Sequence, residues 1–118
     1  MAITALINKI KQQPKVVEFS EVIDVITRHY HYTPSCFTNG IGENQVINAA
    51  GKNEGSCKIF AFAMLHGLSK DETLACFGRY YRDDVIGHPE TIDHANIRVF
   101  MLHGWDGVHF DQSPLAAK

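Results

Sequence analysis

Apolar residues recur along this chain with two different periods, and the changes of period divide it into elements. Ile3, Leu6, Ile7 and Ile10 fall at i, i+3, i+4 and i+7, one stripe of a short amphipathic helix that Pro14 ends. A second helix is expected from Ser20, whose hydroxyl can cap backbone N–H groups, with Val22, Val25, Ile26 and the flank of His29 turned inward. Beyond Tyr30, in "HYHYTPSCFTNGIGENQVINAAGKNEG", aromatic and β-branched residues alternate with polar ones, and Asn39, Gly40 and Gly42 suit a turn. The pattern predicts two short strands, over 30–37 and 45–48, joined as a hairpin, with Pro34 at an edge position. A polar loop through Asn53 and Glu54 follows.

From Cys57 to His66 the residues are apolar almost all round, as a helix enclosed by the rest of the fold requires. Gly67 ends it. The capping box "SKDE" starts the next helix, which the repeat of Leu74, Phe77, Tyr81 and Val85 carries on to the break at Gly87. Asp93 is placed to cap a last element in which Ile97, Phe100, Met101 and Trp105 keep a helical period. Strand alternation there would put Arg98 on one face with Phe100 and Leu102, so helix is preferred. Asp106-Gly107 then turns the chain into a polar tail. The whole predicts one α+β domain over 1–118, predominantly helical, with about five helices and a small β hairpin packed around a central apolar helix.

Composition narrows the setting. A chain of 118 residues, 45% of them hydrophobic, can bury one core and has no surplus for a second. A formal net charge of -2, with Lys and Arg scattered, offers no electrostatic footprint for nucleic acid. No apolar run approaches the roughly 20 residues that span a bilayer, and the N-terminus lacks the basic start and cleavage site of a signal peptide, so neither a membrane nor a secretory leader is expected. The three cysteines, 36, 57 and 76, cannot all pair and match no zinc spacing, which favours reduced thiols in a cytosol-like compartment.

Three constellations could carry chemistry. Near the start of its helix, Cys57 is exposed to the positive end of the helix dipole and sits beside Lys58, both of which favour thiolate. His94 downstream could act as base, with Asp106 or Asp111 orienting it. Equally, Cys57 can be a small buried core residue with a slow-reacting thiol. The seven histidines form no His-x-x-x-His pair and no H-E-x-x-H pattern, and although His88, Glu90, Asp93 and His94 could gather at one loop, neither a metal nor another cofactor is expected. Finally, Asn39, Asn53 and Glu54 on loops, with Arg79 and Arg82 crowding one helix end, could form a recognition surface for a protein or small-molecule partner, or could be ordinary folding pairs.

The segments "YTPSCFTNG", "NAAGKNEGSCKIFAFAMLHGLS", "TLACFGRYYRDDV" and "DHANIRVFMLHGW", in that order over about residues 30–107, resemble the HopJ family of type III effectors. The resemblance implies a Gram-negative bacterial protein, resident in the bacterial cytoplasm or delivered into a host cell. It implies no particular chemistry. Since no candidate group combines nucleophile, base and orienting residue on securely predicted elements, partner binding is the leading expectation, with a cysteine hydrolase or transferase using Cys57 and His94 as the alternative.

Overall fold

The computed structural model describes residues 1–118. Helix α1 (Ile3–Gln12) forms where its stripe predicts it: Leu6 and Ile10 are fully buried, Ile3 and Ile7 pack beside them, and Pro14 opens a 3-10 turn. Helix α2 (Phe19–His29) buries Val22, Val25 and Ile26, but its cap is not Ser20. The Glu21 carboxylate reaches back to accept the Glu18 N–H at 2.8 Å, so the helix starts at Phe19 and Ser20 lies inside its first turn.

The expected strand over 30–37 is two strands serving two sheets. β1 (Tyr30–Tyr32) pairs antiparallel with β5 (Leu115–Ala117) from the tail, and β2 (Phe37–Asn39) lies between β3 (Val46–Asn48) and β4 (His109–Phe110). The break falls at Thr33–Cys36, where Pro34 has no N–H for a ladder. The hairpin of β2 and β3 is as expected, with Asn39 opposite Val46 and Phe37 opposite Asn48. The polar tail is corrected to two short strands, because Val108 and Leu115 are apolar enough to be buried.

Helix α3 (Glu54–Leu65) is the axis of the molecule, with Ile59, Phe60, Phe62 and Ala63 fully buried. Phe60 is its hub: the rings of Phe100, Phe77, Phe37 and Trp105 lie 4.9, 5.5, 6.2 and 6.3 Å from it, mostly edge to face. Burial of each such ring stabilises the fold by about 1.5–3 kcal/mol. The helix begins three residues before Cys57, so the Cys57 N–H already bonds Asn53 O at 3.0 Å and is not one of the unpaired first-turn donors.

Helix α4 (Lys70–Ala75) starts at the predicted box: Ser69 Oγ accepts the Glu72 N–H at 3.1 Å and Glu72 Oε1 accepts the Ser69 N–H at 2.8 Å. It does not run on to Val85 as the periodicity suggests. At Gly78 the backbone has φ +59° and crosses α2 so closely that a Cβ would lie 2.7 Å from the Phe19 nitrogen. The chain resumes as a π-helical segment, Tyr80–Val85, which still turns Val85 into the core. Helix α5 (Ala95–His103) confirms helix over strand, but the residue at its cap position is His94, at φ +54°, while Asp93 pairs instead with Arg98 (Nη2 to Oδ1, 2.8 Å).

Candidate functional site

The N-termini of α3 and α5 meet at a cleft of about 440 Å³. Its floor and one wall are apolar: Phe77 and Ile97 from the core, Val46 at the end of β3, and the rings of Phe19 and Tyr80, which meet edge to face at 5.2 Å. Its polar side is made by Asn53 and Ser56 from the start of α3 and by His94 and Asn96 from the start of α5. Gly55 lets the Phe19 ring lie close, because a Cβ there would fall 3.0 Å from it and the ring would have to shift. Neither cap residue's side chain accepts a hydrogen bond from its own helix, so first-turn N–H groups of both helices, each carrying partial positive charge, border the cleft without a side-chain cap.

Asn53 and Asn96 of the polar side are held from behind by two further asparagines, Asn39 and Asn48. Asn39 Nδ2 donates to the backbone oxygen of Asn96 at 2.8 Å and to its Oδ1 at 3.1 Å, and Asn48 Nδ2 donates to the same Oδ1 at 3.2 Å. Asn48 Oδ1 in turn accepts from Asn96 at 2.9 Å and from Asn53 at 2.7 Å. β2, β3, the loop before α3 and the first turn of α5 are thereby tied into one amide chain. Both neighbours of the Asn39 amide are carbonyl oxygens, so its NH₂ must face them. The consequence is that Asn39 Oδ1 is left buried without a partner. The only two non-glycine residues with positive φ, Asn53 (+51°) and His94 (+54°), are both cleft residues, the kind of backbone strain that clusters where function demands it.

His94 is the imidazole of the cleft. Its Nε2 lies 3.0 Å from Asp84 Oδ2 and 3.8 Å from Asp93 Oδ2, and its ring packs on Tyr80 with centroids 5.3 Å apart. An ionised carboxylate can only accept, so Nε2 carries the proton and the neutral ring keeps its lone pair on Nδ1.

The sequence-predicted site residues are largely dispersed. Cys57, at 1% exposure, belongs to the core and lies outside the cleft; burial pushes its thiol pKa up, Glu54 adds to this, and the Tyr32 hydroxyl, the Ser35 backbone and Lys58 oppose it. Burial likewise raises the Tyr32 phenol, with Cys57 and Glu54 reinforcing it; its hydroxyl donates to Glu54 Oε1 at 3.3 Å, and Lys58 Nζ sits 4.7 Å from its ring centre. No hydrogen bond joins Cys57 to His94, and Asp106, exposed in the turn at Gly104–Gly107, is not paired with His94, which Asp84 holds instead. Of the proposed recognition residues, Asn53 lines the cleft and Asn39 is fully buried behind it. Arg79 and Arg82 approach Glu18 at 3.6 and 3.8 Å, and Arg82 also donates to Val17 O at 2.8 Å. Ser56, Asp84, Asn48 and Asn96 escaped sequence reading. One signal for Ser56 was available: neighbours on a helix point about 100° apart, so a buried Cys57 turns Ser56 toward another surface.

No three His, Cys, Asp or Glu side chains gather in a way that could hold a metal ion, and no helix is long and apolar enough to cross a membrane. The model of the HopJ type III effector protein family matches residues 3–115, and the chain belongs to that family. It is also similar to a solved protein described as "Crystal structure of unknown function protein VPA0580", with a TM-score of 0.95 and 47% identity over 100% of this chain and 95% of that one. No curated protein matches.

Proposed function

We propose that this HopJ-family protein acts by binding, and that its binding site is the cleft between the N-termini of α3 and α5. One observation carries the reading: an apolar floor and a set of convergent polar groups share one concavity, and the polar groups are held in place by a buried amide chain. The ligand that fits is small, with a flat apolar body against Phe19, Phe77 and Tyr80 and a polar end toward Ser56 and His94. Benzoate and benzamide serve as probes in an amide-resolved NMR titration. Shifts concentrated in 53–56, 80 and 94–97 are expected; shifts that map elsewhere, or none at millimolar probe, overturn the proposal. Family membership supports a bacterial origin and delivery through a type III apparatus into a host cell. A translocation reporter fused to the chain tests this, with signal in host cells that disappears in a secretion-deficient strain as the expected result.

A further inference from the structure

We infer that the same cleft is an acyl-transfer centre, with Ser56 as nucleophile, His94 as general base and Asp84 as the residue that positions the base. The inference rests on the cleft being the binding site, and adds chemistry to it. Ser56 lines the cleft, and its hydroxyl has no partner within the protein, whereas the neighbouring Cys57 thiol is turned into the core. Across the cleft, the 3.0 Å contact with Asp84 selects the His94 tautomer whose Nδ1 can take a proton, and stabilises the imidazolium that results. The Tyr80 ring packs on the imidazole with centroids 5.3 Å apart, which with the Asp84 contact restrains its rotation. First-turn N–H groups of α3 and α5, without a side-chain cap, are available to an oxyanion. In this structure no hydrogen bond joins Ser56 to His94; such bonds commonly close only around substrate.

The apolar floor of Phe77 and Ile97 selects the substrate class, a carboxylic ester with a small apolar acyl group. Ser56 Oγ attacks the ester carbonyl carbon while its proton passes to His94 Nδ1. The bond from that carbon to the alkoxy oxygen then breaks, and the leaving alcohol takes the proton from His94. Water attacks the acyl-Ser56 ester and gives His94 a proton, which returns to Ser56 Oγ as the carboxylic acid departs.

The test uses the full chain with Cys36→Ser, since Cys36 is an exposed thiol that would itself consume activated esters. A fluorophosphonate probe followed by peptide mapping should give an adduct on Ser56, and p-nitrophenyl acetate should be hydrolysed above the buffer rate. Ser56→Ala should abolish both, and His94→Gln and Asp84→Asn should each slow labelling by about 10²-fold, the usual size of a general-base contribution. Loss of the acidic limb of the pH–rate profile in His94→Gln separates a base from a merely structural residue. Absence of a Ser56 adduct on the parent chain, or labelling unaffected by His94→Gln, overturns the inference. Benzoate titration of the same proteins keeps the two readings apart: bound benzoate with no adduct removes the chemistry and leaves the binding site, while absence of benzoate shifts removes the site itself.

Discussion

Two clefts of about 440 Å³ each lie at opposite ends of α3, and they teach that volume alone does not make a site. The N-terminal cleft has a chain of four asparagines, an aspartate-held histidine and two helix starts without a side-chain cap. The C-terminal one lies between Ala61, Met64 and Leu65 of α3 and the strands of the tail, from Val108 to Pro114. Met64 and Leu65 are about half exposed. Its polar side chains are held singly, Gln112 Nε2 donating to Pro34 O at 3.3 Å and Ser113 Oγ to Leu115 O at 3.1 Å, with no connected network behind them. One cleft is backed by a connected network of buried amides, the other by isolated hydrogen bonds and half-exposed apolar side chains.

That contrast predicts that substitutions cost far more at the amide-backed cleft than at the other. The largest effect should come from Asn96→Ala, which removes the buried side-chain contacts of Asn96 with Asn39 and Asn48 and leaves the Asn39 amide only the backbone oxygen of that position; a loss of about 2–4 kcal/mol is expected in urea denaturation, and a loss under about 1 would show that the amide chain does not hold the cleft. Gly55→Ala should cost about 1 kcal/mol by forcing the Phe19 ring aside, and should weaken benzoate binding more than it weakens the fold. A smaller effect, confined in pH, belongs to His66 at the other end of α3. Burial lowers its pKa from the ordinary value, and Nε2 bonds the Tyr30 hydroxyl at 2.7 Å. The unfolded chain therefore binds this proton more readily, so the stabilisation is full above the ordinary pKa near 6.5 and declines as pH falls through the lower folded value. His66→Gln should flatten the stability profile below pH 6.5 and leave it unchanged above, where a parallel shift at all pH values would contradict the assignment. Met64→Ala, at the apolar cleft, should change stability by no more than about 0.5 kcal/mol.

Much of the fold was legible because periodicity reports burial. The stripes on α1 and α2, the enclosed α3 and the Ser69 box need only local information. What escaped reading depends on contacts distant in sequence. The apolar repeat through Leu74, Phe77 and Val85 is real, but it cannot reveal that Gly78 must let Phe19 pass. The alternation at Tyr30–Tyr32 marks a strand without naming its partner. The site was legible by region rather than by residue. Reading drew attention to Cys57 and His94; the structure places His94 at the cleft beside Asp84, Cys57 in the core outside it, and Asp106 in an exposed turn not paired with His94. Asn39 looked like a turn residue because asparagine usually is one; only the fold places Asn48 and Asn96 where they convert it into a buried strut.

The pairing of β1 with β5 sets a clock on biosynthesis. Tyr32 lies opposite Leu115, so the sheet that closes around α3 cannot form until more than 80 further residues have been added. At roughly 5–20 residues per second, the nascent chain spends several seconds with α1, α2 and α3 made but unsealed. During that interval the Phe60 hub lacks Phe100 and Trp105, and apolar surface stays open to any holding factor that captures unfinished chains.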